Sequence, residues 1–174
     1  VALVRGTLER HELPARALEL AVSEENVLEA PKEARAALDS LRLGSVGVAI
    51  DDFGAGHSSL SQLRRLPFDC MKLGRGLVND LYTDVGAQGV VAAVLAMARG
   101  MRVRSVADGI EDAASLQMLG ALGCDEVQGP YISPPLGSRD FENWLEEGGA
   151  HTLARQHAME IIDALEAVEK RSRG

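Results

Sequence analysis

Acidic side chains and one lysine recur in this chain at or just after runs that read as β-strands. Ser23-Glu24-Glu25 follows a first run, Asp51-Asp52 a second, and Lys72 lies near the end of a third. Asp108 and Glu111 follow a fourth run, and Gln128 lies in a fifth. In parallel α/β folds, function collects at the C-terminal ends of the strands. Carboxylates gathered on one rim repel one another and raise each other's pKa unless a cation lies among them. Their hard oxygens suit Mg²⁺ or Mn²⁺. A pair of such ions clamps the attacking water and the leaving oxygen of a phosphodiester. A lysine beside them orients the water or offsets developing charge. His11, His57, His151 and His157 are scattered and show no zinc spacing. No GxSxG elbow, phosphate-binding Walker loop or dinucleotide fingerprint is present.

The elements that must position these groups alternate. An opening helical stretch carries Leu3, Val4 and Leu8 and ends at Leu13-Pro14, and Ala17 to Val22 is strand-like. Glu29 to Leu43 is amphipathic, with Ala34, Ala37, Leu38 and Leu41 on one face, and Gly44 is placed to stop it. Val46 to Ile50 reads as a strand buried on both faces, Asp51 to Ser59 as a polar loop, and a short helix runs to Leu66. The cycle repeats with a strand over Phe68–Leu73 and helix over Leu77–Arg99, broken at Gly100. It repeats again with a strand over Met101–Ala107, helix over Glu111–Leu122 and a strand over Glu126–Ser133. Phe141–Glu147 opens a last helix, and Thr152–Lys170 reads as a helical tail. Strands alternating with helices imply βαβ units and a parallel sheet. An open doubly wound sheet and an α/β barrel both fit that pattern. A full barrel has eight strands and about 250 residues, and five strands are legible here.

Composition bounds the function. The chain has 174 residues with Lys+Arg 18 against Asp+Glu 26, a net charge of −8, which argues against a general nucleic-acid binder. Cys70 and Cys124 are far apart, so a disulfide scaffold is not expected and a reducing cytoplasmic compartment is. No apolar run reaches membrane-spanning length, and the first residues carry no signal-peptide pattern. The chain opens on Val1, so a preceding segment is expected.

Five ordered motifs carry a family resemblance. Asp51-Asp52-Phe53-Gly54-Ala55-Gly56-His57-Ser58-Ser59-Leu60 resembles the DDFGTGYSSL signature of EAL domains, the bacterial phosphodiesterases and receptors of cyclic di-GMP. Leu18 to Glu24 is similar to that family's LELEITE strand, and Leu63 to Leu73 to its LRRLPVDTLKI. Val106-Ala107-Asp108-Gly109-Ile110-Glu111 is similar to VAEGVE, and Gly123 to Gly129 matches GCD..QG. The resemblance covers about residues 4–145. It implies a TIM-like, EAL-type α/β barrel, here its last five βα units, with a two-metal site that hydrolyses cyclic di-GMP to linear pGpG. By position it implies Glu24, Asp51, Asp52 and Asp108 as metal ligands and Lys72 with Asp108 as the catalytic pair. Glu111 stands where the family orders the Asp51–Ser59 loop, and Gln128 where it has a site glutamine.

The departures shape the functional expectation. The Glu-Ala-Leu motif and the asparagine of the following strand are absent. The family's Asp after the lysine is Gly74, its catalytic glutamate is Asp108, and the Tyr after QG is Pro130. The loop's Thr and Tyr are Ala55 and His57, the latter read as a surface residue rather than a ligand. The expectation is therefore a degenerate domain with weak or no hydrolysis and a binding or regulatory role. The alternatives are an active phosphodiesterase completed by upstream residues and a metal-independent α/β binding module. Residues 1–148 are expected to form the partial barrel and residues 149–174 a helical tail whose Ile161, Ile162, Leu165 and Val168 dock back on it. Two open sheet edges predict either self-association or a rearranged, closed-up sheet.

Overall fold

The computed structural model describes residues 1–29, 31–55 and 60–149. His57 and the tail beyond residue 149 lie outside the described residues. Five strands, β1 (Glu19–Ser23), β2 (Gly47–Phe53), β3 (Cys70–Leu73), β4 (Arg104–Asp108) and β5 (Glu126–Gln128), form one sheet in the order β1-β2-β3-β4-β5. All four pairings are parallel. The helices are α1 (Ala2–Arg10), which precedes the sheet, then α2 (Glu24–Glu29), α3 (Pro31–Leu43), α4 (Leu60–Leu63), α5 (Arg75–Val78), α6 (Val85–Met101), α7 (Ala113–Leu122) and α8 (Ser138–Glu146). None of the described helices is long and apolar enough to cross a membrane. The sheet stays open: β1 and β5 do not pair with each other, so the closed-up sheet is not formed.

The alternation of side chains assigns the two faces. Val48, Ile50, Met71 and Leu73 point to the helices and are fully buried against Leu38, Leu63, Leu81 and Leu95. Ala49, Cys70 and Val106 form a separate small patch on the other face. At the N-terminal end of that face, Arg104 of β4 pairs with Glu126 of β5 and with Glu19 of β1. Three strand spacings separate β1 from β4, about 14 Å in a flat sheet. Side chains standing upright on a flat sheet would not meet across that distance, so the sheet curls toward this face.

Several boundaries differ from the sequence reading for local reasons. Strand β2 runs on through Asp51, Asp52 and Phe53, because the ladder resumes after a bulge between Ile50 and Phe53. Glu24 opens a separate helix, α2, ahead of the one expected from Glu29. Strand β5 stops at Gln128, where Gly129 turns at φ +155 and Pro130 has no N–H to continue the ladder. Gly44 and Gly100 are not the left-handed stops expected of them. Ser45 (φ 59) and Arg102 (φ 59) hold those conformations instead. Asp112 and Asp84 cap α7 and α6 by accepting the Ser115 and Gly86 N–H groups.

Burial pushes the Cys70 thiol up to about 11, with Glu19 and Glu126 adding to the rise and Arg104 and Lys72 opposing it. A thiol whose pKa is raised on folding stabilises the fold below its unfolded pKa and loses that contribution as pH climbs to the folded one. Stability is therefore expected to fall between pH 9 and about 11, from the ordinary thiol value of 9.0 to the folded value. Urea unfolding across that range should show a shallower alkaline slope for Cys70→Ala than for the parent.

Candidate functional site

The parity of the ladder brings the strand-borne candidates to one face. Ser23 lies opposite Asp51, Lys72 opposite Val106, and Asp108 opposite Gln128. Asp51, Lys72, Asp108 and Gln128 thus share the face that carries the Ala49–Cys70–Val106 patch, at its C-terminal rim. The Lys72 Nζ lies 3.7 Å from Asp51 Oδ1, and Lys72 is the better buried of the two. The same Asp51 oxygen accepts the Asp52 N–H at 3.1 Å.

Asp52 has the wrong parity for this face, yet the bulge redirects it. It sits at φ 53, a left-handed conformation uncommon outside glycine. Its carboxylate borders a cavity of about 300 Å³ together with Gly54, Gly74, Arg75 and Asp108. Glu24 is 3% exposed, and its Oε2 accepts the Gly54 N–H at 3.2 Å, tying the first strand's end to the turn after β2. Glu24, Asp51, Asp52, Lys72 and Asp108 are therefore drawn to one end of the sheet. Gln128 ends β5 with an exposed side chain, and its carbonyl accepts the Ile110 N–H. Glu111 is exposed and makes no hydrogen bond or ion pair among the described residues.

Arg75 escaped the sequence reading. Its stem lies over Gly109, where a Cβ would come within 2.4 Å of Arg75 Cγ and where φ is +83. A glycine at the end of a strand beside a basic residue, Gly74-Arg75, is the signal that could have pointed there. Position 74, unlike position 109, accepts a Cβ: it would stand 3.4 Å from Asp52 Cα and Oδ1, at van der Waals contact.

The fit to a divalent metal is partial. The oxygens are of the right hard type. Among the described residues, however, no three His, Cys, Asp or Glu side chains come together to hold an ion. Asp51 is engaged by Lys72 and Glu24 by the Gly54 N–H. These side chains do not by themselves compose a coordination set.

A curled parallel sheet with an acidic, lysine-bearing C-terminal rim defines a domain of the α/β-barrel class. The particular family is the EAL domain, whose profile matches residues 1–135, and the chain belongs to it. The chain is 37% identical over 133 residues to the bifunctional diguanylate cyclase/cyclic di-GMP phosphodiesterase MucR of Pseudomonas aeruginosa, covering 76% of this chain and 19% of that protein. It superposes on the EAL domain of Mycobacterium smegmatis DcpA with a TM-score of 0.79 at 34% identity, covering 84% of this chain and 66% of that one. It also superposes on Klebsiella pneumoniae BlrP1 in a complex with manganese and cyclic di-GMP, with a TM-score of 0.70 at 30% identity over 74% of this chain and 33% of that one. The chain thus spans about a fifth of the length of the curated relatives it matches. The TIM-like barrel expected from the motifs is the fold of these relatives, and the five strands here are a part of it.

Removing the buried Glu24 carboxylate takes the acceptor from the Gly54 N–H, which lies at the exposed turn after β2, and leaves a void where Glu24 packed. Glu24→Ala is expected to cost about 1–3 kcal/mol, and Glu24→Gln, which keeps an acceptor oxygen, less than half of that. Urea denaturation of the three proteins checks this.

Proposed function

We propose that this domain binds cyclic di-GMP and hydrolyses it weakly or not at all, acting as a regulatory element in cyclic di-GMP signalling. The observation that carries the reading is the state of the rim. Asp51 is paired with Lys72, position 74 has no carboxylate, and no three ligand side chains converge among the described residues. In this reading Lys72 and Asp108 face the reacting phosphate, and Gln128 and Glu111 serve the substrate and the adjoining loop. Glu24, Asp51, Asp52 and Asp108 offer oxygen donors toward Mg²⁺ or Mn²⁺, a set that other residues must complete. A carboxylate shortened from Glu to Asp at 108 reaches about 1 Å less far, a displacement that can cost of order a hundredfold in rate.

A second reading is an active phosphodiesterase completed by residues outside this chain. It is favoured by the share of DcpA matched, 66%, which leaves part of that domain without a counterpart here. In either reading the unpaired edges of β1 and β5 call for a covering strand, from a second copy or from an adjoining segment. A cytoplasmic setting suits both, since both cysteines are free thiols.

Calorimetric titration with cyclic di-GMP, with and without Mn²⁺, followed by chromatography of the nucleotide, tests the proposal. Binding without linear product is expected. Rapid conversion to pGpG by the parent protein would overturn the degenerate reading, and absence of binding would overturn the nucleotide reading. The double variant Gly74→Asp/Asp108→Glu is sterically admissible at position 74, where the added Cβ meets Asp52 at a contact distance of 3.4 Å. It is expected to raise the hydrolysis rate by roughly ten- to a hundredfold.

A further inference from the structure

A second polar cavity, of about 360 Å³, opens at the opposite end of the strands from the acidic rim. Arg42, Arg64 and Arg102 line it together with Asp69, which immediately precedes β3. Three guanidiniums against one carboxylate make this cavity cationic on a chain whose net charge is −8. The one carboxylate is already committed. Asp69 Oδ1 lies 3.1 Å from the Arg42 guanidinium, and its Oδ2 accepts the Val48 N–H at 3.1 Å. Arg64 and Arg102 have no ion-pair or side-chain hydrogen-bond partner among the described residues. A neighbouring cavity shares Arg42 and Asp69 and adds Arg16.

Arg102 is the informative member. It occupies the left-handed position that ends α6, at φ 59 and ψ 39, where glycine is the usual residue because a Cβ is strained. Its backbone N–H closes the helix on the Ala98 and Arg99 carbonyls, work that a glycine would do without strain. The arginine side chain is thus held in a disfavoured backbone conformation and engages nothing described around it, except that it lines this cavity. The other walls are apolar, with Leu66 and Met101 half-buried and Phe68 buried. Guanidinium forks match phosphate oxygens in geometry and charge. The volume lies in the range of small-ligand sites.

We propose that this cavity is a binding site for a nucleoside phosphate, with Arg64 and Arg102 on the phosphate and the base against Leu66 and Met101. The proposal does not depend on what the acidic rim binds. Isothermal titration at about 50 mM salt with pyrophosphate, GMP and guanosine tests it on the parent, Arg64→Ala, Arg102→Gly and, as a control, the exposed Arg139→Ala. Saturable pyrophosphate binding is expected in the parent and in Arg139→Ala, weakened at least about fivefold in the other two. Arg102→Gly should melt at the same temperature as the parent or higher, so weaker binding there is not unfolding. Equal binding by parent, Arg64→Ala and Arg102→Gly, or no saturable binding, would overturn the site. So would a lower melting temperature for Arg102→Gly, which would make Arg102 a structural residue. GMP binding tighter than both pyrophosphate and guanosine supports the nucleoside assignment, and any other order removes it.

Discussion

The contact on which the rest of this structure depends is the reach of Arg104 from β4 to Glu19 on β1 and Glu126 on β5. Each of these ion pairs is partly exposed, and pairs of that kind contribute little to stability one at a time. Their importance is geometric. They join the two outermost strands of a five-stranded sheet through one side chain, and that is possible only when the sheet bends toward them. Bending brings the C-terminal ends of the strands together as well, and with them the carboxylates and the lysine. The same bend leaves Ala49, Cys70 and Val106 as a small-residue layer between the charged cluster at one end and the acidic rim at the other.

Register does the remaining positioning. A one-residue slip in any strand would send its rim-facing polar side chain to the helix face. The buried Val48, Ile50, Met71 and Leu73 resist such a slip, because it would expose them. The core and the site are thus set by the same alternation. The exception is Asp52, which parity would send to the helices. A bulge and a left-handed backbone bring its carboxylate back to the cavity that Asp108 borders. A left-handed backbone at a non-glycine residue costs on the order of 1–3 kcal/mol, so the surrounding bulge and turn must hold Asp52 there.

Much of this was legible from residue order. The alternation of apolar runs and amphipathic stretches located all five strands, and the polar residues ending them located the rim. What escaped was local. Nothing in the letters Asp51-Asp52 distinguishes a residue at the strand's regular parity from one turned by a bulge. Gly44 and Gly100 looked like helix stops, yet Ser45 and Arg102 took the left-handed positions, because the following strands begin where the sheet ladder allows. Strand β5 looked longer than its three residues, since Val127, Tyr131 and Ile132 are strand-like while Gly129 and Pro130 end the ladder. The engagement of Asp51 by Lys72 depends on side-chain distance across two strands, which residue order does not encode.

The two strands with open edges are also the two that carry the outermost candidate site residues. Glu24 follows directly on β1, and Gln128 closes β5. Any chain that hydrogen-bonds to these edges therefore fixes the width of the mouth between those two side chains. Completion of the sheet and readiness of the site for ligand are then a single linked equilibrium. A ligand that touches both flanks would favour a chain covering those edges, and that chain would raise affinity for the ligand by the same factor.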